Sequence, residues 1–82
     1  MEYQRGLVVK SKAGHDKGTV LAVLKVEGTS LILADGKRRS LNKPKLKKMI
    51  HVAPSCYVLT EDKLTTDKKI REALKKLIKD NA

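Results

Sequence analysis

GLVVKSKAGHDKGTVLAVL, residues 6 to 24, sets two apolar runs on either side of a polar turn bracketed by glycines. Leu7 to Ser11 reads as a first strand and Thr19 to Val26 as a second, because both are short, rich in β-branched residues and bounded by turn residues. Between them Gly14 and Gly18 are expected to supply backbone angles open to glycine. In the second run Leu21 and Val23 fall on one face, and Val20, Ala22, Leu24 and Val26 on the other. A strand apolar on both faces has little solvent side. That fits a long, bent strand serving both halves of a small closed sheet.

Working outward, Glu27, Gly28 and Thr29 turn the chain into a third strand, Ser30 to Ala34. Asp35-Gly36 predicts a tight type I′ hairpin, in which Gly36 takes a positive φ, leading to a fourth strand from Lys37 through RRSL to Asn42. Lys43-Pro44 breaks that ladder, and Lys48 to Val52 reads as a fifth strand ending before Pro54. Beyond a candidate linker at Thr60 to Lys63, Thr65 or Thr66 can cap a helix. Its residues Ile70, Ala73, Leu74, Leu77 and Ile78 follow the i, i+3, i+4, i+7, i+8 pattern. The expected fold is mostly β: a five-stranded barrel over residues 1–59 with an amphipathic C-terminal helix, 60–82, packed on it as one structural domain.

The composition agrees. Eighty-two residues suffice for one small domain, and Leu, Ile and Val make up 22 of them with no Phe or Trp, so a thin aliphatic core is expected. The longest apolar run, Val20 to Leu24, has five residues where a membrane span needs about 20. The N-terminal MEYQRGLVVK does not read as a secretory signal, which points to a cytoplasmic address. The single cysteine, Cys56, has no second cysteine for a disulfide or a zinc knuckle and reads as a small semi-buried hydrophobe.

Nineteen Lys and Arg against nine Asp and Glu give a net charge of +10, which points to a polyanionic partner. The excess is uneven: residues 1–56 hold 12 basic and 4 acidic side chains, residues 57–82 hold 7 and 5. Lys37, Arg38, Arg39, Lys43, Lys45, Lys47 and Lys48 place seven positive charges in twelve residues without one acid. Such a run self-repels unless an anion neutralises it, although a solvated face kept for solubility is the alternative. Lys10, Lys12, His15 and Lys17 form a second basic set around the glycine turn, where backbone N–H groups can also meet phosphate oxygens. On the helix, Asp67 with Arg71 and Glu72 with Lys76 are i, i+4 pairs with the acid first, so its charges are expected to serve its own solvated face.

The inventory argues against catalysis. His15 and His51 stand 36 residues apart, one in the glycine turn and one between Ile50 and Val52 on an expected strand, and no residues have metal-ligand or nucleophile spacing. His51 reads as a structural side chain at the barrel rim. GHDKG lacks the phosphate-loop and dinucleotide-loop patterns, so no enzyme activity, cofactor, metal or small-molecule substrate is expected. The only aromatic residues are Tyr3 and Tyr57, both read as packing residues, which argues against base stacking on aromatic rings. Lys and Arg contact with phosphates and 2′-hydroxyls remains, a mode suited to structured RNA recognised by shape.

The stretch of residues 6–24, with Lys10, Lys12, Gly14, Lys17 and Gly18 in place, resembles the KOW motif, in which alternating apolar and polar residues flank a glycine turn ending in Lys-Gly. With a second hairpin at LILADGKRR, a basic segment ending in MIHVAP and a helix opened by LTTDKKIREAL, nearly the whole chain is similar to the e-type large-subunit ribosomal protein fourteen family of archaea and eukaryotes and its short bacterial look-alikes. The resemblance implies an SH3-like barrel that binds ribosomal RNA without catalysis, on ribosomes and beside neighbouring ribosomal proteins. Lys37, Arg38, Arg39 and His51 also match. Two rival readings stay open: a KOW-type protein-interaction module of the translation or transcription machinery, and a non-specific binder of duplex DNA.

Overall fold

The computed structural model describes residues 3–14 and 17–80. Five strands and one helix follow in chain order: β1 (Leu7–Ser11), β2 (Val20–Glu27), β3 (Ser30–Ala34), β4 (Lys45–Lys48), β5 (Val52–Val58) and α1 (Asp67–Asp80). Single 3₁₀ turns at Met49–His51 and Glu61–Leu64 join β4 to β5 and β5 to α1. The fold is mostly β with a C-terminal helix, as the sequence predicts. The strands form one antiparallel sheet in the order β4-β3-β2-β1-β5.

That sheet is open, not closed as expected for a barrel. β4 and β5 are its two edges. After four residues of β4 the backbone winds into the 3₁₀ turn, and the chain leaves to pair with β1 instead of continuing beside β3. Two hydrogen bonds fasten this corner: Met49 N–H to the Thr29 carbonyl at 3.0 Å and Lys12 N–H to the His51 carbonyl at 2.8 Å.

The predicted hairpin at Asp35-Gly36 and the strand over residues 37–42 do not form. The Asp35 carboxylate accepts N–H bonds from Lys37 (2.8 Å) and Arg39 (2.9 Å), while the Asp35 and Gly36 amides both donate to the Arg39 carbonyl. A side chain that captures its own following amides competes with a ladder, and residues 35–43 become a loop. The fourth strand starts only at Lys45. The expected fifth strand, Lys48 to Val52, is mostly the 3₁₀ turn, and β5 runs through Pro54. An edge strand leaves part of its N–H groups without a ladder role, so it tolerates proline. Where the β1–β5 register shifts between Leu7 and Val9, the Ser55 hydroxyl donates to the Val8 carbonyl at 2.6 Å and bridges the gap.

Apolar residues cover both faces of the sheet. Leu7, Val9, Leu21, Val23, Leu31, Leu33 and Val52 fill one layer, with Tyr3, Val26 and Met49 against it. Val8, Ala22, Ala34, Leu64, Ile70 and Leu74 fill the other. Ile70 and Leu74 come from α1, so the helix lies on this face of the sheet, and each buried side chain contributes about 1.5–3 kcal/mol. β2 is two-faced as its sequence indicates, apart from Val26. A register shift between Val23 and Lys25 makes Leu24 an extra residue and reverses the alternation, which puts Val26 on the Leu21 side. Thr66 caps α1: its hydroxyl accepts the Lys69 N–H at 3.2 Å. The expected linker at Thr60 to Lys63 is ordered, most of it within the 3₁₀ turn that drives Leu64 into the helix layer.

Candidate nucleic-acid interface

The glycine turn closes by reciprocal bonds at its root. Ser11 N–H donates to the Thr19 carbonyl and Gly18 N–H to the Ser11 carbonyl, both at 2.9 Å. Gly14 and Gly18 take positive φ, +76° and +87°, as the sequence predicts. The Ala13 carbonyl receives two donors, the Ser11 hydroxyl at 3.1 Å and the Lys47 ammonium at 2.9 Å. A β4 lysine from the basic segment is therefore fixed to the turn. Lys10, Lys12 and Lys17 are exposed around it. His15 lies outside the described residues.

The basic segment is not one continuous surface. Lys37, Arg38, Lys43 and Lys48 are exposed, whereas Arg39, Lys45 and Lys47 are half-buried. Register decides the faces: Lys45 and Lys47 pair with Leu33 and Leu31, on the side of the first apolar layer, and Lys48 pairs with Ser30 on the opposite side. The seven charges thus divide between a loop and two faces of an edge strand. The glycine turn touches both divisions. Lys47 reaches its start, and Gly18 and Thr19 at its end share a groove of about 590 Å³ with Lys37 and one flank of α1. Lys10 pairs with Val20, which also lines that groove.

Arg71 and Lys75 of α1 line the same groove and belong to the site. The expected Asp67–Arg71 pair does not form. The Asp67 carboxylate accepts the Leu41 N–H at 2.8 Å, and the Arg71 guanidinium donates to the Gly36 carbonyl at 3.0 Å. Gly36, at φ +78° as expected, makes this approach possible, since a Cβ there would overlap the Asp67 carbonyl oxygen and sit 3.0 Å from the Arg71 amide nitrogen. The i, i+4 spacing of Arg71 and Lys75 is visible in the sequence, but the loop they face is brought to them only by the fold.

Other expectations fare variously. His51 lies in the 3₁₀ turn rather than on a strand, with its side chain exposed and its carbonyl holding Lys12. Cys56 is exposed on β5, not semi-buried, because the β5 edge leaves one side uncovered there. Tyr3 packs on the first apolar layer, while Tyr57 is 38% exposed. Asp62 is held below the usual carboxylate range, chiefly by a hydrogen bond from the Thr60 hydroxyl. Among the described residues no three His, Cys, Asp or Glu side chains gather as a metal site, and no helix is long and apolar enough to cross a membrane. In comparisons with protein-family models and with curated proteins, the chain matches none.

Proposed function

We propose that this chain is a non-catalytic binder of structured RNA, ribosomal RNA of the large subunit in particular, acting in the cytoplasm as a ribosomal or ribosome-associated protein. Its fold is proposed to be an SH3-like KOW domain, supported by the glycine-turn hairpin of β1 and β2 and by a five-stranded sheet with an apolar layer on each face and a helix over one of them. The observation that carries the function is that cations meet the glycine turn at both ends, Lys47 at the Ala13 carbonyl and Lys37, Arg71 and Lys75 in the groove that Gly18 and Thr19 line. Among the described residues the ion pairs Arg5–Glu61 (2.8 Å) and Lys25–Glu27 (3.1 Å) include none of these cations. Phosphates of a folded RNA supply the missing counter-charge, and their A-form spacing is read by shape.

The test is cosedimentation of the native protein with ribosomal particles, split at low magnesium and washed at rising salt. Retention on the large subunit in near-unit ratio is the expected result. Absence from every ribosomal fraction at low salt would contradict the proposal. Leu46 and Ile50, 62% and 73% exposed along the open β4 edge and the turn after it, favour an added protein contact with a neighbouring ribosomal protein. Leu46→Ser should then weaken particle retention while leaving affinity for free RNA unchanged.

A further inference from the structure

We propose that the groove between the glycine turn and α1 receives one unstacked nucleotide of the bound RNA, its base against Arg71 and Ile78 and its phosphate on Lys37 and Lys75. This rests on the RNA reading above and names the part of the RNA that the groove takes. At about 590 Å³, open on one side, the groove falls within the range of small-ligand sites, roughly 300–1,000 Å³. Its floor is aliphatic, from Val20 and Leu74, and Ile78 extends that surface while staying 53% exposed.

The sequence has no aromatic platform for a base, but the structure builds a planar one from arginine. The hydrogen bond from Arg71 Nη1 to the Gly36 carbonyl (3.0 Å) fixes the guanidinium at the groove, with its other donors left over and the residue still exposed. Unpaired bases stack on guanidinium planes as they do on aromatic rings, and a plane already held in position loses less entropy on binding. Lys37 lines the groove with the helix cations and adds a positive charge for a phosphate.

The groove also holds two acids, and they favour a nucleotide over an acidic peptide. Asp35 spends its Oδ1 on the amides of Lys37 and Arg39. Glu72 remains as an acceptor. A nucleotide offers it a 2′-hydroxyl or an exocyclic N–H, whereas an acidic side chain would meet it with like charge.

The experiment compares two RNAs by fluorescence anisotropy with the full chain: a duplex of about 16 base pairs and the same duplex carrying a single unpaired adenosine. The bulged RNA should bind about tenfold more tightly, the order expected for one stacked base. Arg71→Lys keeps the charge but removes the plane, and Ile78→Ser removes exposed apolar surface without touching the core. Each should lower bulged-RNA affinity toward the duplex value; Ile78→Ser should leave duplex affinity unchanged, and Arg71→Lys should cost the bulged RNA more than the duplex. Equal binding of the two RNAs, or equal loss on both for each variant, would overturn the groove assignment while sparing the RNA reading. Failure to bind either RNA would end both, and capture of an oligoglutamate peptide in their place would give the groove to an acidic protein segment.

Discussion

Gly36 joins the basic loop to the helix through its backbone, and a methyl group there has no room. Gly36→Ala combines a left-handed φ with overlap on the Asp67 carbonyl and crowding of the Arg71 amide, atoms that cannot rotate away. A loss of about 2–4 kcal/mol is expected in urea unfolding. Gly18→Ala shares the positive φ, but nothing lies within 4 Å of its added carbon, so about 1 kcal/mol is expected. Equal losses would show that close approach at Gly36 contributes nothing. Asp62 gives the pH-dependent case. Because the Thr60 hydroxyl depresses its pKa in the folded state, the associated stability is present above the unfolded value and is lost as pH falls through the folded one. Thr60→Val should move the Asp62 titration upward by NMR, and an unmoved titration would remove the hydrogen bond as its cause.

At the scale of elements, α1 divides between core and surface. Leu74 is 3% exposed and Ile78 is 53% exposed, though both continue one apolar stripe. Leu74→Ala should cost about 2–5 kcal/mol and Ile78→Ala under about 0.5 kcal/mol by chemical denaturation. Comparable costs would mean that the helix buries its whole stripe. The stripe and a threonine cap at Thr65 or Thr66 were legible in the sequence because helical period and capping are local signals. Leu7–Ser11 and Ser30–Ala34 were legible for the same reason. Asp35-Gly36 serves equally a type I′ hairpin or an aspartate-capped loop, and the choice is made by α1, against which Gly36 packs. The apolar residues of Lys48 to Val52 suit a strand, while the turn between sheet edges depends on where β5 finds its partner, β1.

Across the whole molecule, +10 of net charge is spread over a body of about 27 × 27 × 25 Å. Sequence shows the excess and its concentration in residues 37–48, but only the fold divides that run between two faces and adds Arg71 and Lys75 from a distant helix. At physiological salt the field fades within about 8 Å, so affinity has to come from cations in direct contact with phosphate. Lys10, Lys12 and Lys17 around the glycine turn and Lys37, Arg71 and Lys75 in the groove are exposed cations, and exposed Arg38 follows Lys37 in the chain. The most direct measurement is therefore the dissociation constant for a folded RNA hairpin across a salt series. Six or more phosphate contacts predict a fall in affinity of about 10³ or more between 50 and 200 mM salt, with Lys37→Ala and Arg38→Ala together lowering the logarithmic slope by about 2. Affinity that hardly changes with salt, or a slope untouched by those substitutions, would contradict phosphate-directed RNA binding at this surface.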